Sequence, residues 1–359
     1  RPPRFDESLD SMISRSEDDF TRIALKAKAA QDYFLLIGPP GTGKTSCALK
    51  KMVETFHADK DAQILLLSYT NRAVDEICKS LASIAPAVDF IRVGSELSCD
   101  EAYRGHLIEN ELSSCNRRSE VYERIRNCRI IVGTVAAISG KPELFRLKHF
   151  DVAIIDEATQ ILEPQLLGIL CARREDGKDA IDKFVLIGDH KQLPAVVQQN
   201  TEQSAIYDES LLSIGLTNLK DSLFERLYRN CTATVHRSYD MLCRQGRMHP
   251  EVALFANRAF YGGRLIPVGL PHQIESSDTI CRLAFYPSVP EKAGASAKIN
   301  YSEARIVADL AVRIYEDHQT DFDESRTLGI ITPYRSQIAL IKKEIESLGI
   351  PALNRILVD

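Results

Sequence analysis

The sequence predicts an α/β fold with a parallel, doubly wound sheet, and two observations carry this prediction. The first is a set of five continuously apolar runs in the first two-thirds of the chain, and the second is helical periodicity between them. The runs are YFLLIG (33–38), QILLLSYT (63–70), CRIIVGT (128–134), FDVAIID (150–156) and KFVLIGD (183–189). Such runs are typical of strands buried on both faces of a parallel sheet. Ligands of these sheets bind at the carboxyl ends of the strands.

Helical periodicity follows each of the first two runs. The apolar positions that share one helix face are Ala48, Met52, Val53 and Phe56 after the first run, and Val74, Ile77, Cys78 and Leu81 after the second. This spacing matches the period of an α-helix with one apolar face. Most of the strands are therefore predicted to lead into a helix that packs on the sheet.

The pattern restarts in the last third of the chain. It predicts an amphipathic helix over 301–318, a buried strand over 326–334 and another amphipathic helix over 336–349. We therefore predict a first domain over 1–240 and a partial second domain over 241–359. The final NRILVD resembles the start of a further strand and the chain lacks an initiator Met, so a longer parent chain is expected.

An arginine-rich segment over about 95–127 is predicted to be a mostly helical insertion between two strands. Its arginines include Arg104, Arg117, Arg118, Arg124 and Arg126. Two interpretations of the arginine-rich region 104–129 stay open: a solvated helical face, or a reduced accessory element.

Composition narrows the function classes. The 359 residues carry 45 Lys and Arg against 50 Asp and Glu, a net charge of −5, so the chain does not coat nucleic acid by bulk charge. No apolar run approaches the roughly 18–20 residues of a membrane span, and the first residues lack the apolar core of a secretory signal. Nine cysteines without a CxxC pair suit buried thiols in a reducing compartment. We expect a cytoplasmic or, in a eukaryote, nuclear protein that is not secreted and has no membrane partner.

The segment GPPGTGKT at 38–45 follows a predicted strand and opens a predicted helix, which is the setting of a P-loop. Its glycines let backbone N–H groups point at phosphate oxygens. Lys44 is expected to reach the β/γ-phosphates, and the Thr45 hydroxyl to bind Mg²⁺. The predicted nucleotide-binding residues are Gly38, Pro39, Pro40, Gly41, Thr42, Gly43, Lys44, Thr45 and Ser46. The alternative is a glycine-rich structural turn.

Two adjacent carboxylates follow the fourth apolar run. Asp156 and Glu157, in IIDEA at 154–158, are predicted to end a strand on opposite sides of its pleat. Beside a P-loop, such a pair supplies a Mg²⁺ ligand and a base that activates water. We predict that Asp156 binds Mg²⁺ with Thr45 and that Glu157 is the base; without the P-loop, a solvated turn is favoured.

Two further side chains complete the predicted catalytic set of Lys44, Glu157, Gln192 and Arg247. Gln192, in VLIGDHKQLPAVV at 185–197, is expected to hydrogen-bond the γ-phosphate or the attacking water. Arg247, in RQGRMHP at 244–250, is the candidate arginine finger. Taken alone, the first segment favours a turn with a helix-capping Asp189, and Arg247 favours a surface ion pair.

Seven segments together resemble the motifs of superfamily 1 helicases in order and spacing. They are GPPGTGKT, SYTNRAVDEI (68–77), DEAT (156–159), GDHKQLPAVV (188–197), DSLFERL (221–227), RQGRMHP and ITPYRSQ (331–337). The similarity is greatest to the 5′-to-3′ branch that includes the nonsense-mediated-decay helicase and the nuclease-helicase of Okazaki-fragment processing.

This resemblance implies two RecA-like domains, the second incomplete here, with ATP between them and a single nucleic-acid strand across both. The family's ATPase residues correspond to Lys44, Thr45, Asp156, Glu157, Gln192 and Arg247. The resemblance also implies backbone contacts to nucleic acid by Thr70, Asn71, Thr134, Thr332 and Tyr334. The sequence has Thr21 where the family usually has an adenine-reading Gln, and Gly246 where it often has Tyr.

The expected function is that of an ATP-dependent helicase or translocase on single-stranded DNA or RNA, with ATP and Mg²⁺ as cofactors. The expected partners are the nucleic acid and the remainder of the parent chain, with possible accessory or nuclease modules. Two alternatives are an AAA+-type ATPase that remodels protein, and a nucleic-acid-binding ATPase switch that does not unwind.

Overall fold

Seven parallel strands form the central sheet of the first part of the chain. The computed structural model describes residues 4–233, 237–274, 282–289 and 298–359. The strands are β1 (Tyr33–Ile37), β2 (Ile64–Ser68), β3 (Phe90–Val93), β4 (Ile130–Thr134), β5 (Val152–Ile155), β6 (Phe184–Gly188) and β7 (Tyr239–Met241), in the order β3-β4-β2-β5-β6-β1-β7. All adjacent pairs in this sheet are parallel. The predicted α/β class with a parallel sheet is confirmed.

Helices cover both faces of this sheet. The α-helices of this part are α1 (Asp10–Arg15), α2 (Asp19–Ala29), α3 (Lys50–His57), α4 (Asn71–Ala82), α5 (Ile108–Glu111), α6 (Arg118–Asn127), α7 (Val135–Ser139), α8 (Pro142–Leu147), α9 (Glu163–Leu170), α10 (Glu209–Ser213), α11 (Leu223–Ala233), α12 (Pro250–Tyr261) and α13 (Pro271–Ile274). A π-helical turn, Lys44–Leu49, leads into α3, and short 3₁₀ turns lie at Glu7–Leu9, Glu96–Ser98, Glu101–His106 and Ala158–Gln160. A two-stranded ribbon joins β8 (Arg244–Gln245) to β9 (Ile266–Pro267).

Successive residues of each strand point to opposite faces of the sheet, so the apolar core forms two layers, one on each face. Phe34 and Leu36 of β1 pack with α2, α3 and α4, whereas Leu35 and Ile37 pack with α7, α8, α9 and α11. Each central strand is therefore buried on both sides, which is why its sequence is continuously apolar. The carboxyl ends of the strands are left to carry the polar loops.

The structure contains two strands of this sheet that sequence reasoning missed. β3 and β7 contain the charged residues Arg92 and Asp240, which interrupt an apolar run. Arg92 is nevertheless fully buried, and its guanidinium pairs with the Asp75 carboxylate of α4. Asp75 also accepts the backbone N–H of Asp100 at 3.3 Å. A strand can thus contain a buried charged side chain when a neighbouring helix supplies the opposite charge.

Asp75→Ala is expected to destabilise the fold strongly, because it leaves the Arg92 guanidinium buried without its counter-charge. Removal of one partner of a buried ion pair costs about 3–5 kcal/mol. The free energy of unfolding, measured by denaturant titration, checks this. The matched control is Asp179→Ala, which removes an exposed ion pair with Arg173 and is expected to cost about 0–1 kcal/mol. Equal losses in the two variants would contradict the buried-pair account.

The arginine-rich segment contains the 3₁₀ turns at 96–98 and 101–106 and helices α5 and α6. Arg124 pairs with Asp89 and Glu111 at 2.8 and 2.7 Å, and Arg104 lies 3.6 Å from Glu101. These pairs use two of its arginines to hold the segment together. Arg117 and Arg126 are exposed. The accessory role of the segment stays a prediction.

The second part of the chain is a small α/β unit. It contains α14 (Tyr301–Asp317), α15 (Arg335–Ser347), a 3₁₀ turn at Leu353–Arg355 and two parallel strands, β10 (Gly329–Ile330) and β11 (Leu357–Val358). The predicted buried strand over 326–334 is wrong in length and burial: it spans two residues, and Ile331 is 90% exposed. The described helices cover one face of this strand, so only alternate residues such as Leu328 and Ile330 pack inward.

The chain forms two compact units, Arg1–Ser276 and Ser277–Asp359. The sequence pattern instead predicts a domain boundary between residues 240 and 241. Residues 241–274 pack in the first unit because β7 pairs with β1 and Leu242 N–H donates to the Ile37 carbonyl at 2.9 Å. The domain assignment 1–240 and 241–359 stays a prediction.

Cysteines and helix hydrophobicity complete the description of the fold. Four of the described cysteines are buried: Cys78, Cys99, Cys128 and Cys231. Cys281 lies outside the described residues. None of the described helices has the length and apolar character that crossing a membrane requires.

Candidate nucleotide-binding site

The loop after β1 has the shape of a phosphate cradle. Gly38 N–H donates to the Gly188 carbonyl at 2.9 Å, and the Thr42 hydroxyl closes the turn on the Pro39 carbonyl at 2.7 Å. Gly38 must be glycine, because a Cβ there would lie 2.0 Å from Cγ of Lys44. The Lys44 side chain therefore packs over the start of the loop, and its ammonium lies above the loop.

The helix that follows the loop presents free backbone donors. The N–H groups of Cys47 and Ala48 both donate to the Gly43 carbonyl, at 3.0 and 2.9 Å. The N–H groups of Lys44, Thr45 and Ser46 precede the first of these bonds and have no carbonyl partner inside the helix. Such a helix start favours anions.

A polar pair lies at the base of the loop. The Thr45 hydroxyl donates to Oδ2 of Asp156 at 2.5 Å, and Oδ1 of Asp156 accepts Glu157 N–H at 3.0 Å. Asp156 is 1% exposed, and this burial raises the pKa of its carboxyl, while the Thr45 hydroxyl acts in the opposite direction. A hydroxyl and a carboxylate in contact are the oxygen ligands that Mg²⁺ prefers. The residues present therefore fit a Mg²⁺ ion, which Thr45 and Asp156 would hold.

Glu157 adopts a conformation that is rare for a residue other than glycine. Its φ is 52° and its ψ 36°, in the left-handed region, which costs on the order of 1–3 kcal/mol. β5 ends at Ile155, so the expectation that Asp156 and Glu157 lie on opposite sides of a strand pleat is wrong. The turn instead brings both carboxylates to the loop, with Oε1 of Glu157 3.3 Å from Nζ of Lys44.

Gln192 is held by a buried carboxylate. Its Nε2 donates to Oδ2 of Asp189 at 2.9 Å, and Asp189 is 1% exposed. The same oxygen accepts the hydroxyl of Tyr261 at 2.7 Å. Asp189 thus anchors the loop after β6. The turn that this segment favours when taken alone is present, since Gln192 N–H donates to the Asp189 carbonyl at 3.1 Å, but residues 190–208 contain no helix for Asp189 to cap.

Arg247 lies directly on the P-loop. Gly246 N–H donates to the Gly41 carbonyl at 2.9 Å. A Cβ on Gly41 would lie 2.4 Å from Cβ of Arg247, and Gly41 has a φ of 74°. Both the close approach and the left-handed backbone require glycine at this position. Among the described residues, no carboxylate lies within ion-pair distance of Arg247, so its charge is available to a ligand.

These residues share one cleft of about 590 Å³. It is lined by Pro39, Pro40, Gly41, Thr42, Gly43, Lys44, Thr45, Ser46, Glu76, Glu157, Gln192, Gly246 and Arg247. Gly38 lies beneath Lys44 and Asp156 beneath Thr45 rather than in the lining. Glu76, on α4, was missed from sequence because nothing local marks that helix position as facing a site.

The predicted nucleic-acid residues of the first unit lie at the carboxyl ends of adjacent strands. Thr70 follows β2 and Thr134 ends β4, and the register pairs Ser68 with Thr134. Both hydroxyls cap helices: Thr70 accepts Ala73 N–H at 3.2 Å, and Thr134 accepts Ala137 N–H at 3.1 Å. A hydroxyl that accepts one hydrogen bond still has its own hydrogen to donate, so a cap is compatible with a phosphate contact. Asn71 begins α4 and is half-buried.

The remaining predicted contacts lie in the second unit. Thr332 donates its backbone N–H to the Asp359 carbonyl at 2.8 Å, and Tyr334 precedes α15 with 44% of its surface exposed. Lys298 lies 6.0 Å from the centre of the Tyr334 ring. In the first unit, Asp18 caps α2, and its carboxylate accepts both the backbone N–H and the hydroxyl of Thr21. The functional roles of Thr332 and Tyr334 stay predictions.

A parallel sheet with this loop after β1 and the acidic pair after β5 defines the class of P-loop nucleotide-binding proteins. Two family models, both described as AAA domains, match the chain. One (AAA_11) matches residues 15–118 and 110–200, together more than half of the chain, and the other (AAA_12) matches residues 219–353. The chain therefore belongs to this AAA-domain family, within the superfamily 1 helicase group whose motifs it shares.

Curated relatives extend beyond this chain. The DNA replication ATP-dependent helicase/nuclease JHS1 of Arabidopsis thaliana is 30% identical over 378 residues, covering 96% of this chain and 25% of that protein. The DNA replication ATP-dependent helicase/nuclease DNA2 of Homo sapiens is 28% identical over 413 residues, covering 99% of this chain and 35% of that protein. The chain thus spans between a quarter and about a third of these relatives' length.

Proposed function

We propose that this chain is an ATP-hydrolysing motor of the helicase or translocase type that acts on single-stranded nucleic acid. The observation that carries the proposal is the cleft in which Lys44, Glu157, Gln192 and Arg247 surround the P-loop. Two cations, a carboxylate and an amide around a set of backbone donors match what phosphoryl transfer needs. The named activities of the JHS1 and DNA2 relatives support the same function.

Each residue has a distinct role in the proposed hydrolysis. The backbone N–H groups of residues 44–46 and the Lys44 ammonium hold the phosphates, and Arg247 offsets charge that develops on the γ-phosphate. Glu157 accepts a proton from the attacking water, and Gln192 orients that water. Thr45 and Asp156 would hold Mg²⁺. The chemistry that this ion supplies when bound is neutralisation of charge on the phosphate oxygens.

The lysine and the base are paired before substrate arrives. Nζ of Lys44 lies 3.3 Å from Glu157. A triphosphate competes for this ammonium, because it carries more negative charge than one carboxylate. Binding of the phosphates therefore releases Glu157 to act as a base.

The nucleic-acid partner is proposed from Thr70, Asn71 and Thr134, which lie at strand ends in the first unit. Hydroxyl, amide and backbone N–H groups contact phosphates without reading sequence. We propose the same role for Thr332 and Tyr334 of the second unit. The proposed compartment is the cytoplasm or the nucleus, in keeping with the buried cysteines.

Single-stranded nucleic acid is expected to stimulate ATP hydrolysis by about 5- to 150-fold, the usual size of a coupling between two binding sites. Steady-state phosphate release is measured with and without single-stranded DNA or RNA, and Lys44→Ala is the control that removes hydrolysis in both conditions. No stimulation by either polymer, with hydrolysis intact, would contradict the motor and favour an AAA+-type protein remodeller. Stimulation without strand displacement or movement would favour the ATPase switch.

A further inference from the structure

A buried hydrogen-bond network joins Gln192 to the helix that follows Arg247. Its centre is the Asp189 carboxylate, whose Oδ1 accepts Lys191 N–H at 3.0 Å. Oδ2 accepts both the Gln192 amide, at 2.9 Å, and the Tyr261 hydroxyl, at 2.7 Å. Asp189 and Tyr261 are 1% and 4% exposed. Burial of this kind makes each hydrogen bond difficult to replace by water.

The carboxylate fixes the orientation of the Gln192 side chain. An ionised carboxylate can only accept hydrogen bonds, so the NH₂ group of the amide must face Asp189. The carbonyl oxygen Oε1 is consequently left for the cleft that Gln192 lines. An oxygen in that place can accept a hydrogen from an attacking water, whereas a flipped amide cannot.

Tyr261 holds this carboxylate from the other side. Burial, together with the hydrogen bond to Asp189, raises the pKa of the Tyr261 hydroxyl, so the hydroxyl stays protonated and donates. Tyr261 is the last residue of α12, which ends at Gly262 in the left-handed conformation. The hydrogen bond therefore fixes the carboxyl end of α12 against the loop after β6.

The opposite end of α12, at Pro250, follows directly on the Arg247 loop, and two glutamine side chains hold this loop. Oε1 of Gln245 accepts the N–H groups of Arg247 and Met248, at 3.1 and 2.8 Å. Nε2 of Gln273 donates to the carbonyls of Gln245 and Met248, each at 2.9 Å. Both glutamines are buried, at 1% and 3% exposed. One helix thus ties the Arg247 loop at its start to Asp189 at its end.

We propose that Tyr261 is a positioning residue, which sets the Gln192 amide through Asp189 and links it to the element carrying Arg247. This inference rests on the proposed ATPase function. It implies that the two side chains facing the γ-phosphate move together with α12 rather than independently.

Tyr261→Phe tests the proposal, since it removes one oxygen and keeps the ring. We expect kcat for ATP to fall by about 10- to 100-fold, as when a partner that orients a catalytic group is lost, with KM changed less than about twofold. In a Gln192→Ala background the same substitution should lower kcat no further, because Tyr261 acts on hydrolysis only through Gln192. Tyr33→Phe, which removes another half-buried tyrosine hydroxyl at the start of β1, should leave kcat unchanged.

A second measurement does not depend on nucleotide. In Tyr261→Phe, amide exchange at Lys191, whose N–H donates to Asp189, should be about tenfold faster, since the carboxylate has lost one of its donors. Unchanged exchange would overturn the network, and additive losses in the double variant, or a loss in KM alone, would overturn the positioning role. Absence of hydrolysis by the unsubstituted chain would instead count against the proposed function, with the exchange result still deciding the network.

Discussion

Glu157→Gln is expected to slow ATP hydrolysis by about 10²–10⁴-fold, the usual contribution of a positioned general base, while ATP binding is retained. The amide has nearly the same shape as the carboxylate but does not take a proton from water. Binding is retained because Glu157 competes for Lys44 at 3.3 Å in the absence of substrate. Its replacement frees the ammonium for the phosphates. Single-turnover hydrolysis and equilibrium binding of a fluorescent ATP analogue measure the two effects separately.

Glu76→Gln is the matched control for this experiment. Glu76 lines the same cleft, so the substitution makes the same change of charge at a neighbouring place. We expect a far smaller loss of hydrolysis, because no contact joins Glu76 to Lys44. If both variants lose hydrolysis equally, net charge in the cleft, and not a base at position 157, determines the rate.

Local sequence signals predicted the sheet and the phosphate loop well. The five apolar runs became β1, β2, β4, β5 and β6 because their burial on both faces leaves a continuous apolar pattern. The loop after β1 could be recognised because its glycines are required by local geometry, as the contacts at Gly38 and Gly41 illustrate. Signals of this kind are contained within a few residues of sequence.

Contacts between distant residues were not predictable in the same way. Tyr261 and Asp189 are 72 residues apart, and Gln273 and Gln245 are 28 apart. A single tyrosine or glutamine carries no periodic pattern that marks it as buried and paired. The left-handed turn at Glu157 was also unpredictable, because glutamate seldom adopts a φ of 52°.

The position of Arg247 in the fold was likewise not predictable from local sequence. Its motif was visible in the sequence, but the restart of the α/β pattern suggested that it belongs with the following domain. In the structure it lies in the unit Arg1–Ser276, where the Gly246–Gly41 hydrogen bond attaches it to the P-loop. A short ribbon and two buried glutamines hold it there, and none of these contributes an apolar run.

Arg247→Ala is expected to reduce ATP turnover by about 10³–10⁵-fold, the range for an arginine finger, with much less effect on ATP affinity. The guanidinium lines the cleft and faces no carboxylate among the described residues. Its charge is therefore free to stabilise negative charge that grows on the γ-phosphate as the bond breaks. Such an interaction is stronger in the transition state than in the bound ground state, so kcat falls while KM changes little.

Arg247→Lys distinguishes a finger from a simple charge. Lysine keeps the positive charge but has no planar fork of donors, so it is expected to restore only part of the turnover. The backbone of this loop is held by Gln245 and Gln273, and neither variant changes those bonds, so the fold should be retained in both. A loss of affinity that matches the loss of turnover would show that Arg247 binds the ground state, and the finger role would then be wrong.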